Sequence, residues 1–269
     1  MALPPPSESA TALITGASAG IGEAIARQLA SRGHGVTLVA RREERLSTLA
    51  GELSERHGVR AEAIVADLGD AAARERLAAQ IEGLGLEVEI LVNNAGFGGA
   101  GTVAGSDRER LLAMLRLNCE ALLDLQARYL PAMVARRRGV VINIASTAAF
   151  QPIPGTATYA ATKAFVLSLS EAVHEELKGT GVTLTAVCPG PVKTEFMQVA
   201  GIEQAEEQLP GVFWMAPEAV AKAAVDAAEN GKRAIVPGLL NRAGALTGQH
   251  TPRLLVLPIA KRLWRRQAL

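Results

Sequence analysis

Short runs of β-branched and apolar residues alternate along the chain with longer stretches in which apolar positions recur every three or four residues. The short runs, near 11–15, 35–40, 60–66, 88–93, 139–144, 181–187 and 233–236, predict strands; the stretches between them, among them 21–32, 107–136 and 157–178, predict helices. A run such as Val140-Val141-Ile142-Asn143-Ile144 is apolar at nearly every position, as expected of a strand covered on both faces. Alternating strands and helices predict an α/β fold, a doubly wound parallel sheet of about seven strands with helices on both faces. Ligands of such sheets bind beyond the carboxyl ends of the strands, where the strand order reverses. The distinctive residues fall there: Asp67-Leu68 follows the third strand, Asn93-Asn94-Ala95-Gly96 the fourth, Ser146 the fifth and Pro189-Gly190 the sixth.

Length and composition narrow the class. The 269 residues suffice for one large domain, expected over 11–237, and no composition break divides it. With 49% apolar and 20% charged residues the chain reads as a folded, soluble protein, and no run reaches the ~18 apolar residues that would span a bilayer. Residues 1–10 lack the charge and apolar core of a secretion signal and read as a flexible leader. Cys119 and Cys188 sit in apolar segments, as buried thiols of a reducing, cytoplasmic compartment would. The histidines His34, His57, His174 and His250 are scattered, so no metal mechanism is expected.

Two local patterns carry chemistry. Gly16-Ala17-Ser18-Ala19-Gly20-Ile21-Gly22 joins the first strand to a helix, where glycines allow main-chain amides to approach a diphosphate and the helix dipole favours negative charge. Its Gly-x-x-x-Gly-x-Gly spacing differs from the common Gly-x-Gly-x-x-Gly. Tyr159 and Lys163 stand one helical turn apart on one face, so that a cation could favour ionisation of the phenol, which is otherwise a weak acid near pH ~10.

Together with Asn118, Ser146 and Pro189-Gly190-x-Val192-x-Thr194, these motifs resemble the short-chain dehydrogenase/reductase family from about residue 11 to about 236. The resemblance implies a single-domain Rossmann-type fold, a nicotinamide cofactor and a catalytic tetrad of Asn118, Ser146, Tyr159 and Lys163. Tyr159 would exchange a proton with the substrate oxygen, Ser146 would orient that oxygen, Lys163 would tune the phenol and bind the nicotinamide ribose, and Asn118 would hold a water leading to solvent. Cofactor contacts are implied for Gly16, Ser18, Gly20, Ile21, Gly22, Asp67, Leu68, Asn94, Ala95, Gly96, Pro189, Gly190, Val192 and Thr194. The family also commonly forms homodimers or homotetramers through helices such as 107–136 and 157–178.

An NAD-specific member would carry an acidic residue at the end of the second strand. This chain has Val39-Ala40-Arg41-Arg42, which favours a 2′-phosphate and hence NADP(H); the alternative is that Arg41 and Arg42 pair with Glu43 and Glu44. Aromatic residues are only 3%, yet Phe97, Phe150, Phe196, Phe213 and Trp214 fall in loops expected around the site, with 193–215 as a lid, which points to an apolar substrate. The alternative is that the rings pack loops onto the sheet. The expected activity is hydride transfer between NADPH and a hydrophobic ketone, aldehyde or oxoacyl carbonyl. The alternatives are an alcohol or hydroxysteroid-like dehydrogenase working in oxidation, and a catalytically silent cofactor-binding protein. Residues 238–269 form a basic extension. From 231 onward there are eight cations and no acid, and 254–266 mixes an apolar block with Lys and Arg, as a peripheral contact with an anionic membrane would need. No nucleic-acid-binding module accompanies these cations.

Overall fold

The computed structural model describes residues 3–201, 210–255 and 257–258. Seven parallel strands, β1 (Ala10–Thr15), β2 (Val36–Ala40), β3 (Ala61–Val65), β4 (Glu87–Asn93), β5 (Gly139–Ile144), β6 (Val182–Val187) and β7 (Ala234–Ile235), form one sheet in the order β3-β2-β1-β4-β5-β6-β7. The order reverses between β1 and β4, and the crevice above their carboxyl ends is where a doubly wound sheet binds ligands.

The helices are α1 (Gly20–Ala30), α2 (Glu43–His57), α3 (Ala71–Gly83), α4 (Arg108–Leu115), α5 (Leu122–Ala135), α6 (Ala157–Glu176), α7 (Phe196–Ala200), α8 (Pro217–Glu229) and α9 (Leu239–His250). Side chains alternate across the strands, so each face has its own core. Ala12, Ile14, Leu38, Ile90, Val92 and Ile142 pack under α1, α2 and α8. Leu13, Val39, Leu91, Val141 and Leu184 pack under α3 and α5, and α6 adds Val166 and Leu167 over Ala186 and Cys188. This burial of both faces explains why β1, β5 and β6 read as near-continuous apolar runs.

The structure adds three features to the sequence expectations. The stretch expected as one helix over 107–136 contains a π-helical turn, Arg116–Ala121, between α4 and α5. Within residues 1–10, expected as a flexible leader, Leu3 packs on the core, Pro4 is buried, and the Ser9 carbonyl accepts the Glu87 amide at 2.7 Å, while residues 5–9 are exposed. The apolar start of the leader has core to cover, which outweighs the cost of ordering it. The first part of the basic extension is the packed helix α9, with Asn241, Ala245 and Gly248 buried. Most of the proposed membrane-contact segment, including Lys261, Arg262, Trp264, Arg265 and Arg266, lies outside the described residues. Among the described residues, no helix is long and apolar enough to cross a membrane.

Candidate active site

The glycine turn after β1 is built for close approach. Gly16 sits at φ +66°, where a side chain is strained, and a Cβ on Gly22 would fall 2.4 Å from both the Gly16 carbonyl oxygen and Asn94 Nδ2. Helix α1 then begins after Ala19, which offers no side-chain cap to its first amides. The buried Thr15 hydroxyl joins this turn to β4. It donates to the Val92 carbonyl at 3.1 Å and accepts the Asn94 and Ala95 amides at 2.9 and 3.0 Å. Asn94 Nδ2 returns the connection to the Thr15 and Gly16 carbonyls at 2.9 and 3.2 Å.

Helix α6 is anchored over the adjacent strands by a buried amide relay. Asn93 Nδ2 donates to Asn143 Oδ1 at 2.9 Å, Asn143 Nδ2 to Ser170 Oγ at 2.8 Å, and Ser170 Oγ to the Val166 carbonyl at 2.6 Å. That anchorage aims the first turns of α6 at the strand ends. Lys163 is buried and its Nζ donates to the Ile144 carbonyl at 2.8 Å, lying 5.9 Å from the centre of the Tyr159 ring. Ser146 Oγ accepts the Ala148 amide at 3.1 Å and sits near enough to the Tyr159 hydroxyl to pull the phenol's pKa down. The turn-capping role and the contact with the phenol therefore coexist in one side chain.

Asn118 lies in the π-helical turn and is buried, not a surface amide. Its Nδ2 donates to the Phe97 carbonyl at 3.0 Å and to Thr162 Oγ1 at 3.1 Å, while its Oδ1 accepts the Phe97 amide at 3.1 Å. Thr162 Oγ1 in turn donates to the Tyr159 carbonyl at 2.7 Å. The side chain thus locks the loop after β4 onto the helix that carries Tyr159.

Desolvation governs the titration of the pair. Burial pushes the Tyr159 phenol up to about 12, with Ser146 pulling the other way, and burial pulls the Lys163 ammonium down to about 8. The phenol therefore moves opposite to the direction expected of a tyrosine tuned by a neighbouring cation: removal from water is the largest cause of its shift, and the group pulling it down is Ser146 rather than Lys163.

Tyr159, Lys163 and Ser146 share the wall of a cavity of about 340 Å³ with Gly16, Gly20, Ile21 and Arg42. A group bound along the glycine turn and a substrate at Tyr159 would lie in one continuous space. Residues 10–205 match the family model described as short chain dehydrogenase. This chain belongs to the short-chain dehydrogenase family. It is 36% identical over 200 residues to the very-long-chain 3-oxoacyl-CoA reductase of Anas platyrhynchos, a match covering 72% of this chain and 64% of that relative, less than two thirds of its length. It is 40% identical over 189 residues to the NADP-dependent 3-hydroxy acid dehydrogenase of Salmonella typhi, covering 70% and 75% of the two chains. A solved short-chain dehydrogenase from Sphingobium yanoikuyae in complex with NADPH superposes with a TM-score of 0.79 at 36% identity, covering 88% of this chain and 92% of that one.

Within this short-chain dehydrogenase, the cavity wall also includes the expected residues Asn94, Ala95, Gly96, Pro189, Gly190, Val192, Thr194 and Phe196. Gly22 and Asn118 support it from behind, and Ser18 fixes Arg42, whose Nε and Nη2 donate to the Ser18 hydroxyl at 3.1 and 3.0 Å. Arg41 projects outward, 75% exposed, with Asp67 Oδ2 at 4.0 Å. Asp67 Oδ1 accepts the Gly69 amide, whereas the cap of α3 is Asp70, and the Leu68 side chain belongs to the core.

Of the five aromatic residues expected to line a substrate pocket, only Phe196 is in the wall, its ring 5.6 Å from that of Tyr159. Phe97 lies under Arg110, Phe150 packs on the core, and Phe213 and Trp214 stand at a short turn whose Phe213 carbonyl accepts Asn241 Nδ2 at 3.1 Å. Sequence reasoning missed Pro191, Glu195, Met197 and Val199 in the wall. It also missed Asn241, against which Gly190 packs so tightly that a Cβ there would come within 2.4 Å. An odd glutamate between Thr194 and Phe196 was the one local signal.

Proposed function

We propose that this chain reduces hydrophobic ketones, aldehydes or oxoacyl groups with NADPH, Tyr159 acting as the proton donor. The observation that carries the reading is the single cavity whose wall holds Tyr159 with Ser146, the buried Lys163, the glycine turn and Arg42. The turn fits a dinucleotide. Its backbone leaves no room for a Cβ at Gly22, the first amides of α1 have no side-chain cap, and Arg42 lies beside them with no acidic residue at the end of β2. Gly16, Gly20 and Ile21 would hold the diphosphate, Asn94, Ala95 and Gly96 the region beyond it, Lys163 the nicotinamide ribose, and Arg42 with Arg41 the 2′-phosphate. Bound there, NADPH supplies the hydride.

The chain's own part is proton delivery and orientation. A phenol with its pKa at about 12 is fully protonated at neutral pH, which suits it to give a proton to an oxygen that becomes an alkoxide, a much stronger base. Ser146, beside Tyr159 in the cavity wall, would stabilise the phenolate left behind and address the carbonyl oxygen. Lys163, tied to the Ile144 carbonyl, brings a cation to the phenolate side as negative charge appears. Ile144, Pro191, Val192, Phe196, Met197 and Val199 give the cavity apolar walls that exclude water and favour an apolar substrate. The named activity of the Anas platyrhynchos relative supports an oxoacyl carbonyl. That of the Salmonella relative favours a second reading, oxidation of a hydroxy compound, in which the same residues move the proton the other way.

A carbonyl and alcohol panel followed by nicotinamide absorbance tests this. Turnover of hydrophobic carbonyls is expected, with Tyr159→Phe losing at least ~10²-fold in kcat while retaining cofactor affinity. Preference for small sugars, or an active Tyr159→Phe enzyme, overturns the reading. The cofactor part is tested by kcat/KM for both nicotinamides. Arg42→Ala is expected to lower the preference for NADPH about tenfold, the contribution of one charge-assisted hydrogen bond.

A further inference from the structure

Glu195 precedes α7 and connects the two ends of the cavity. On one side of it, Thr194 Cγ2 would lie 2.9 Å from a Cβ at Gly20; on the other, Phe196 faces the Tyr159 ring. The Glu195 carboxylate accepts Arg42 Nη1 and Arg45 Nη1, each at 2.6 Å, and these two guanidiniums hold its pKa below the usual carboxylate range. The remaining donors of Arg42 go to Ser18 in the glycine turn. One guanidinium is thereby divided between the expected phosphate site and the lid. The far end of α7 is held by Arg110, whose Nη2 donates to the Val199 carbonyl at 2.6 Å.

We propose that Glu195 is a specificity-determining residue, competing with the cofactor's 2′-phosphate for Arg42 and Arg45, so that a phosphate which takes these guanidiniums unhooks the N-terminal end of α7. The proposal rests on the NADPH reading above. A phosphate brings up to two charges and three acceptor oxygens against one carboxylate, so it wins the exchange; a cofactor with a plain ribose leaves the carboxylate in place. Arg41, outward and exposed, can join the phosphate without giving up a close partner. Release of Glu195 loosens the segment that sets Phe196 against Tyr159, so the identity of the cofactor is relayed to the substrate end.

The test uses the full chain and Glu195→Gln, which keeps the side chain's shape and removes its charge. Dissociation constants for NADPH and NADH are measured by fluorescence, at low salt and at ~1 M salt, where the screening length falls to ~3 Å. Glu195→Gln is expected to bind NADPH about three- to tenfold tighter at low salt and NADH unchanged, with the gain shrinking at high salt. Hydrogen exchange at 196–200 is expected to speed up in the wild type with 2′,5′-ADP but not with 5′-ADP. In Glu195→Gln it is expected to be fast with either. A wild type that prefers NADPH, paired with a Glu195→Gln that binds it equally or more weakly, overturns this proposal alone. If the wild type binds both cofactors equally and Arg42→Ala changes neither affinity, the NADPH reading itself has failed.

Discussion

Thr15→Val removes one oxygen and keeps the shape of a side chain at the centre of the cofactor cradle. The Thr15 hydroxyl makes three hydrogen bonds, to the Val92 carbonyl and from the Asn94 and Ala95 amides. Valine makes none of them. A buried donor left without a partner costs about 1–3 kcal/mol, and Asn94 and Ala95 are half-buried on the lip of the cavity, so the lower part of that range applies to each amide. The sum is about 2–3 kcal/mol. Thr11→Val, at the other end of the same strand, is the control: Thr11 Oγ1 shares one hydrogen bond with Thr37 Oγ1 at 2.8 Å, and its loss should cost about 1 kcal/mol. Urea denaturation at unchanged m gives both values, and titration with NADPH gives the functional effect. Thr15→Val should also weaken cofactor affinity several-fold, because Asn94 and Ala95 line the cavity, while Thr11→Val should leave it alone. If the two variants are indistinguishable in stability and in affinity, the Thr15 hydroxyl does not organise the cradle.

The same geometry sets two further outcomes. Gly22→Ala places a methyl 2.4 Å from the Gly16 carbonyl oxygen, a backbone atom that cannot move without opening the turn, so cofactor binding measured by fluorescence should be lost together with a lowered melting temperature. Lys163 has its pKa lowered from 10.5 to about 8 by burial, so between those values the unfolded chain binds more protons than the folded one and this group's contribution to stability rises with pH. Lys163→Met removes that dependence: its stability relative to wild type should be greatest below about pH 8 and should decline by on the order of 3 kcal/mol towards pH 10.5, while the Tyr159 phenol and Cys188 thiol, which burial pushes up to about 12 and, for Cys188, higher still without Lys163, keep their protons in both folded proteins over this range. Urea titrations at several pH values would show a constant difference if the charge is not buried.

The strands were legible because the sheet is covered on both faces: all seven expected runs match β1–β7 within a residue at each end, down to the two-residue β7, Ala234–Ile235, at the edge of the sheet. Tyr159, Lys163 and Ser146 were legible because their spacing is local or set by one strand and one helix. The relation of Arg42 to Glu195 was not, since it joins residues 153 positions apart through a loop with no period. The aromatic residues misled for a similar reason. Composition says that a ring needs burial, but it does not say whether a ligand or the loop itself will supply it, and Phe150 found the core. The packed leader shows the converse, with Leu3 and Pro4 giving two apolar residues enough purpose to order a segment rich in proline.

The π-helical turn at Arg116–Ala121 has the effect of an inserted letter in a coded message. Each extra residue in a coil of 3.6 per turn advances the downstream residues by about 100°, so α4 and α5 run nearly end to end yet present stripes that are out of phase. A periodic reading carried straight through from 108 would assign the wrong side of α5 to the interior. Removing a single residue from that turn would therefore act less like a local lesion than like a rotation of the whole of α5, swinging Leu125 and Met133 out of the core while leaving every amino acid of that helix unchanged.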